Sequence, residues 1–380
     1  MHRVAALVFW LSAALLAWTQ ALYGPFLAAL RRLRDDPRPV AAGPHPEPHV
    51  SLIVAAHREE DVIAAKVANA LALDWPRDRL EVIVAVDGGA GPGADATAER
   101  ARAAGADRVL ELPRGGKVRA QDAGVRAARG ELLAFSDANA TWEPDALRHL
   151  AAAFADGAVA YACGQVRFVS DAGTNQEGVY WRYELWLRAQ ESALASVTAG
   201  NGAIYAVRRD AYVEVDPVMG HDLSLPFLMV KRGRRAVYVP GARATEKMVP
   251  TIEGEWRRKR RMMSHAWPIV LRGGLLSPRG YGPLYGLMIV SHRALRYASP
   301  ALHAAVVAAA LPLARRPVYA AALAAHAALL TAALAGGALR ARPLLLARYY
   351  VLTTASLAAG LYDHLRHGTP AGWDAPEGTR

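Results

Sequence analysis

Residues 131–144 read ELLAFSDANATWEP. Leu132, Leu133, Ala134, Phe135 and Ser136 are apolar or small, and the run stops at Asp137, Ala138 and Asn139. An apolar run this short, without polar alternation, is the pattern of a parallel strand buried on both faces. Ligands of open α/β sheets bind beyond the carboxyl ends of the strands, so Asp137 stands where a ligand would be met. An acid with an oxygen-bearing partner two residues on suits a divalent cation held against a diphosphate. Mg²⁺ typically takes one or two protein carboxylates and draws its other oxygens from phosphate and water. The same letters would also suit an ordinary loop after a strand.

Working outward, the segment from Pro48 to about Phe168 alternates strand and helix patterns. Val50 to Ala55 reads as a buried strand. Glu59 to Leu73 carries Val62, Ile63, Val67, Ala70 and Leu71 at helical spacing. Leu80 to Val86 is a second strand and ends at Asp87-Gly88-Gly89. Gly91 to Asp95 is a turn by its glycine content. Thr97 to Ala104 reads as a helix and Arg108 to Leu112 as a short strand. Gly115-Gly116-Lys117 opens a helix that runs to about Arg129. This alternation predicts βαβ units and a parallel sheet. Two strands that end in aspartate, at Asp87 and Asp137, predict one pocket rim.

The succession AAHREEDVIAA, LDWPRDRLEVIVAVDGG, GGKVRAQDAGVRAARGELLAFSDAN, GNGAIYAVRR, GHDLSLPFLMVKRGRRAVYVP and WRRKRRM resembles the membrane-bound members of glycosyltransferase family 2. It runs from about Pro48 to Ile269 in that family's order. The resemblance implies an α/β GT-A fold, Rossmann-like with a mostly parallel sheet. It also implies a nucleoside-diphosphate sugar as donor, a divalent cation (Mg²⁺ or Mn²⁺) as cofactor, and inversion at the anomeric carbon.

The resemblance assigns roles residue by residue. The acid matching Asp87 bonds the base or ribose of the donor; a turn aspartate before two glycines would look the same. Asp137 matches the metal-binding acid of the DxD motif, and Asn139 replaces its second acid. An amide oxygen still coordinates but brings no charge. Gly115, Gly116 and Lys117 precede a helix, where bare amides and an ammonium favour anions; an ordinary turn with a solvated lysine is the plainer reading. Asp222 matches the catalytic base that takes the acceptor's proton, against a plain helix N-cap role. His221 stands where the family carries a second acid. It reads as a local hydrogen-bonding residue, and in its neutral form it removes a like charge from beside Asp222. The run Glu255 to Arg261 takes the place of the family's arginine motif, with Arg258 and Arg261 expected beside the donor diphosphate. Its other basic side chains suit lipid headgroups. The glutamine and tryptophan of processive synthases are missing there. Gly200, Asn201 and Gly202 are expected at the acceptor, or as plain turn geometry. The aromatic helix before them (Tyr180, Trp181, Tyr183, Trp186) reads as a packing face.

Val4 to Leu30 is apolar enough to span a bilayer and continues into Arg31, Arg32 and Arg34. It reads as an uncleaved anchor, with a signal peptide as the alternative. The expected organisation is an anchor over 1–34, a proline-rich linker over 35–49 and a catalytic domain over 50–270. An interfacial amphipathic segment over 271–298, about three C-terminal spans over 299–362 and a disordered tail over 363–380 complete it. The arginines after the first span put the catalytic domain on the cytoplasmic side of the plasma membrane. Arg315 and Arg316 fall on the wrong side of that topology. With 380 residues, 53% hydrophobic, the chain has room for one soluble domain and several spans. The net charge of +11 gathers near membrane edges and the donor pocket. Anionic lipid and diphosphate account for it, with no nucleic acid among the partners. The single cysteine excludes an intrachain disulfide.

These features together imply sugar transfer to a hydroxyl on a membrane-proximal or lipid-linked glycan. A polyprenyl-phosphate acceptor and a non-catalytic nucleotide-sugar-binding protein are the alternatives.

Overall fold

A computed structural model describes residues 2–34, 47–91, 93–169, 178–247, 252–339 and 341–372. Most of the expected linker, 35–46, and the tail from 373 onward lie outside the described residues.

The strands are β1 (Val50–Ala56), β2 (Leu80–Asp87), β3 (Arg108–Leu112), β4 (Leu132–Asp137), β5 (Thr141–Trp142), β6 (Val159–Val169), β7 (Ile204–Arg208) and β8 (Arg235–Lys247). They form one sheet in the order β3-β2-β1-β4-β7-β6-β8-β5. The strands β3, β2, β1 and β4 are parallel, joined by helices Ile63–Leu71, Thr97–Ala103 and Lys117–Ala127. Beyond β4 the sheet is mixed: β7 is antiparallel to β4 and β6, β6 is parallel to β8, and β5 is antiparallel to β8.

β4 shows why its sequence is continuously apolar. Leu132 and Ala134 pack with Trp142, Leu147 and Leu150 on one face. Leu133 and Phe135 pack with Tyr161, Tyr205 and Val207 on the other. Both faces are covered, so neither alternate position can be polar. The Phe135 ring stacks on Tyr205 with centroids 4.6 Å apart.

Strand order reverses between β1 and β4, which opens a crevice at their carboxyl ends. The register sets Ala55 opposite Asp137 and Ala56 opposite Val86, so Asp87 and Asp137 flank the end of β1.

Four helical runs are long and apolar enough to cross a membrane: His2–Leu33, Pro283–Leu313, Pro317–Ala335 and Arg342–His367. The shortest has 19 residues, about 28 Å at 1.5 Å per residue. A hydrocarbon core is about 30 Å thick. Phe9 and Leu16 of the first run pack on Val306, Ala310, Leu313 and Tyr319, while Tyr23 and Leu27 pack on Leu187 and Leu194 of helix Gly178–Leu194.

Two expected boundaries differ. Residues 283–313 are one continuous helical run, so no helix boundary falls at 298. Ser291 and His292, within the expected interfacial amphipathic segment, are buried inside the protein. The expected tail also begins too early. The last helix runs to His367, and Thr369 Oγ1 donates to the Ser264 carbonyl at 2.9 Å. The Ala371 carbonyl then lies against Gly116. Helix Arg342–His367 packs along helix Ile252–Leu271, with Lys259 Nζ donating to Tyr349 Oη at 2.8 Å and Trp267 Nε1 to the Leu357 carbonyl at 2.9 Å. Arg260 binds Asp363 with two nitrogens, at 2.5 and 2.6 Å.

Candidate active site

Asp87 ends β2 and is 3% exposed. Its Oδ1 accepts from the Gly115 and Gly116 amides, at 2.5 and 3.0 Å, and its Oδ2 pairs with Arg114. The carboxylate therefore shapes the loop before helix Lys117–Ala127. That loop turns on Gly116, whose φ of +93° is open to glycine and strained for other residues. A Cβ there would also lie 1.9 Å from the Ala371 carbonyl oxygen.

Lys117 follows directly. Its ammonium pairs with Asp137 Oδ1. A Cβ on Gly202 would sit 3.6 Å from its Nζ. Burial acts against the Lys117 charge, but Asp137, Asp222 and Glu246 outweigh it and hold the group above its ordinary value. Lys117 thus links the end of β4 to the start of helix His221–Lys231, where Asp222 lies half-buried. Of the three expected aspartates, Asp137 pairs with Lys117, Asp87 holds the two amides before it, and the charge of Asp222 acts on it.

The loop at 200–202 belongs to the same place. The Gly200 amide donates to the Asp222 carbonyl at 2.6 Å, and Asn201 Oδ1 accepts from the Ala203 amide at 3.0 Å. A Cβ on Gly200 would overlap the Tyr161 hydroxyl, at 1.8 Å. Close approach therefore explains this glycine.

His221 is buried and lies in a polar chain. Gln121 Nε2 donates to Tyr205 Oη at 3.2 Å, and Tyr205 Oη is 2.9 Å from His221 Nδ1. His221 Nε2 is 3.2 Å from Tyr212 Oη, which donates to Asp122 Oδ1 at 2.5 Å. One direction satisfies every member, with His221 neutral and its proton on Nε2; that tautomer is assigned from the network. Burial, and then the Lys117 charge, push His221 down to about 3. Burial likewise raises Asp122 to about 6. Gln121 and Asp122 ride on the helix that begins at Lys117. The chain therefore fixes that helix against the one that carries Asp222.

The two expected arginines diverge. Arg258 takes Glu255 with two nitrogens, at 2.7 and 2.8 Å, and its charge reaches Glu246. Arg261 acts on His265, which also feels Asp222.

Sequence reasoning missed two residues. Pairing of Thr141 with Thr245 sets Glu246 beside the loop of Asn139 and Ala140. Burial and then Asp137 raise the Glu246 carboxyl, against Lys117, Arg258 and Lys66. Lys66 is 3% exposed and donates to the Ala140 carbonyl at 2.8 Å. Burial pushes it down to about 7, although Asp137 and Glu246 act against the change. The available signal was a lysine on the apolar stripe of Ile63, Val67 and Ala70. Glu246 had none, since its neighbours arrive only through the sheet.

Among the described residues no group of three His, Cys, Asp or Glu side chains could hold a metal alone. Asp137 and Asn139 are half-buried and adjacent. One acid and one amide suit a cation that brings its other oxygens from phosphate and water, and do not suit an all-protein cage.

Residues 51–215 match the profile of the glycosyl transferase family 2 domain. An N-acetylglucosaminyltransferase from Rhizobium leguminosarum is 27% identical over 234 residues, which is 57% of this chain and 54% of that protein. A beta-monoglucosyldiacylglycerol synthase from Trichormus variabilis is 30% identical over 175 residues, 43% of this chain and 36% of that protein. The chain thus spans about half, or less, of the curated relatives it matches. A mannosyltransferase from Pyrobaculum calidifontis, solved with GDP-mannose and Mn²⁺, shares the fold with a TM-score of 0.71 at 23% identity. That likeness covers 94% of this chain and 99% of the neighbour. Residues 51–215 are thus similar to the glycosyl transferase family 2 domain, on a fold shared with a solved mannosyltransferase.

Proposed function

We propose that this is a membrane-bound inverting glycosyltransferase. It moves a sugar from a nucleoside-diphosphate sugar to a hydroxyl on a membrane-proximal or lipid-linked acceptor. The observation that carries this reading is Lys117, bonded to Asp137 and lying in the field of Asp222. A donor-side acid pairs with this cation and the charge of an acceptor-side acid acts on it.

The donor diphosphate takes the ammonium of Lys117 and the start of its helix, beyond the Gly115-Gly116 turn that Asp87 holds. A divalent cation held by Asp137 and Asn139 would offset charge on the departing diphosphate. Arg258, whose charge acts on Glu246, adds positive charge to the site. Asp222 accepts the proton of the acceptor hydroxyl as its oxygen bonds to the anomeric carbon and the carbon–phosphate oxygen bond breaks. Attack from the face away from the leaving group inverts that carbon. Gly200, Asn201 and Gly202 form the acceptor side of the cleft.

Topology follows from one contact. Ala371 lies on Gly116, so the segment after the last helix and the donor loop share one side of the bilayer. A last helix that crossed would separate them. We read the first three apolar runs as spans and Arg342–His367 as lying along the cytoplasmic interface, a reading supported by its packing on helix Ile252–Leu271 and by the arginines after the first span. This keeps the catalytic domain cytoplasmic.

The relatives transfer N-acetylglucosamine or make a glucosyl lipid, and the structural neighbour holds GDP-mannose. The test is a screen of nucleotide-activated N-acetylglucosamine, glucose and mannose for release of free nucleotide by the membrane-reconstituted protein. Release that requires Mn²⁺ or Mg²⁺ and rises with a lipid acceptor supports the reading. Metal-independent release, or none from any nucleotide sugar, refutes it.

A further inference from the structure

Away from the donor cleft, the membrane helices meet the catalytic domain at a buried polar node. Its centre is Glu191, 0% exposed, on helix Gly178–Leu194. Tyr23 Oη of the first apolar run donates to Glu191 Oε1 at 2.8 Å, and His292 Nδ1 of the second lies 2.7 Å from the same oxygen. The other oxygen accepts twice from Thr198, from the hydroxyl at 2.9 Å and the amide at 3.3 Å. Arg293 Nε donates to the Thr198 hydroxyl at 2.9 Å. Glu184, about two turns earlier on the same helix, takes Arg296 at 2.7 Å and His292 Nε2 at 3.4 Å.

Both membrane helices are distorted at this node. The first has a π turn at Trp18–Leu22 and the second at Ile289–Ala294. The two turns are tied together by Trp18 Nε1 to Ser291 Oγ at 2.8 Å and Thr19 Oγ1 to the Ser291 carbonyl at 2.7 Å. A π turn disturbs the helical ladder and recurs at functional positions. Ionisable groups inside apolar spans are costly and tend to be kept for a task. Helix Pro283–Leu313 carries His292, Arg293 and Arg296 there.

The node leads to the active site in two steps. Glu191 holds the Thr198 amide and hydroxyl. Two residues on, the Gly200 amide donates to the backbone carbonyl of Asp222 at 2.6 Å. We infer that Glu191 is a positioning residue through which the membrane helices set the place of Asp222 and of the acceptor loop. This rests on Asp222 being the base. The bonds of the node run to the acceptor loop, so the effect falls on transfer and leaves donor binding alone.

The test uses the full-length protein in lipid nanodiscs, with Glu191→Gln and the milder Tyr23→Phe. Glu191→Gln keeps the shape and removes the charge; Tyr23→Phe deletes one hydroxyl and covers the case where the first variant does not fold. The expected result is a roughly tenfold lower kcat in Glu191→Gln and about twofold in Tyr23→Phe. The donor KM stays within about twofold in both. On an Asp222→Asn background, Glu191→Gln adds no further loss of residual transfer, because both act at one step. Unchanged kcat in both variants overturns the inference. So does a parallel loss of kcat, donor affinity and melting temperature, which marks a merely structural role. An Asp222→Asn protein with full activity removes the base assignment instead, and separates that failure from this one.

Discussion

The donor half of the site and the acceptor half are built in opposite ways. On the donor side the working groups sit at strand ends and are held by near neighbours. Asp87 and Gly115 are 28 residues apart, and Lys117 and Asp137 are 20 apart. On the acceptor side the supports come from far along the chain. Glu191 meets Tyr23 across 168 residues and His292 across 101, and Trp18 meets Ser291 across 273. A βαβ unit delivers a binding loop by itself, whereas Asp222 depends on helices brought in from both ends of the sequence. The donor half should therefore respond to changes in local motifs, and the acceptor half to changes remote in sequence.

The donor half breaks most completely at Asp137. Asp137→Ala removes the acid that would hold the cation and the partner of Lys117. The expected result is a loss of about 10²–10³-fold in kcat together with weakened Mn²⁺ binding, followed by steady-state transfer and by titration of the metal alone. Lys117→Ala comes next, with donor KM raised about tenfold through loss of a charge-assisted contact. Unchanged KM there would detach the anion loop from the diphosphate.

Gly116→Ala sharpens the comparison further. It strains a backbone at φ +93° and drives a Cβ into the Ala371 carbonyl. A cost of about 1–3 kcal/mol in thermal unfolding is expected from the backbone alone, with a several-fold rise in donor KM. Removal of residues 368–380 should relieve only the part due to the Ala371 contact.

The smallest effect concerns pH. The folded His221, at about 3 against an ordinary 6.5, loses its stabilising contribution as pH falls below 6.5. Asp122 acts with the opposite sign. Its folded value of about 6 against an ordinary 3.8 adds stability as pH falls through 6. The two offset each other between about pH 6 and 4. Asp122→Asn keeps an acceptor for Tyr212 but cancels the second contribution. Its melting temperature should fall more steeply than the wild type's over that interval; parallel curves would show that the two groups do not oppose one another.

The division between the halves also explains what could be read from the letters. The stretch from Val50 to Asp137 was legible to within a residue or two at most strand ends, because a strand covered on both faces must be apolar throughout. The helix that begins at Lys117 was legible for a similar local reason. The acceptor half was less so. The antiparallel return of β7 carries no periodic signal that distinguishes it from more parallel sheet. His221 could be read as a hydrogen-bonding residue, but not its partners, since Tyr205, Tyr212 and Gln121 meet it only in the fold. Glu246 and Lys66 went unnoticed because their charges acquire meaning only beside Asp137. The segment holding Ser291, His292 and Arg293 looked like an interfacial helix, since its polar residues have no visible partner until Glu184 and Glu191 are placed against them.

The central claim is that Asp222 completes, from the acceptor half, a site otherwise made by the donor half. Asp222→Asn in the membrane-reconstituted protein tests it directly, with transfer and donor binding measured side by side. The account expects kcat to fall by about 10²–10⁴-fold, the range for loss of a general base, while the affinity for the nucleotide sugar stays unchanged. Transfer at the wild-type rate would contradict it, as a phosphate acceptor that needs no base would produce.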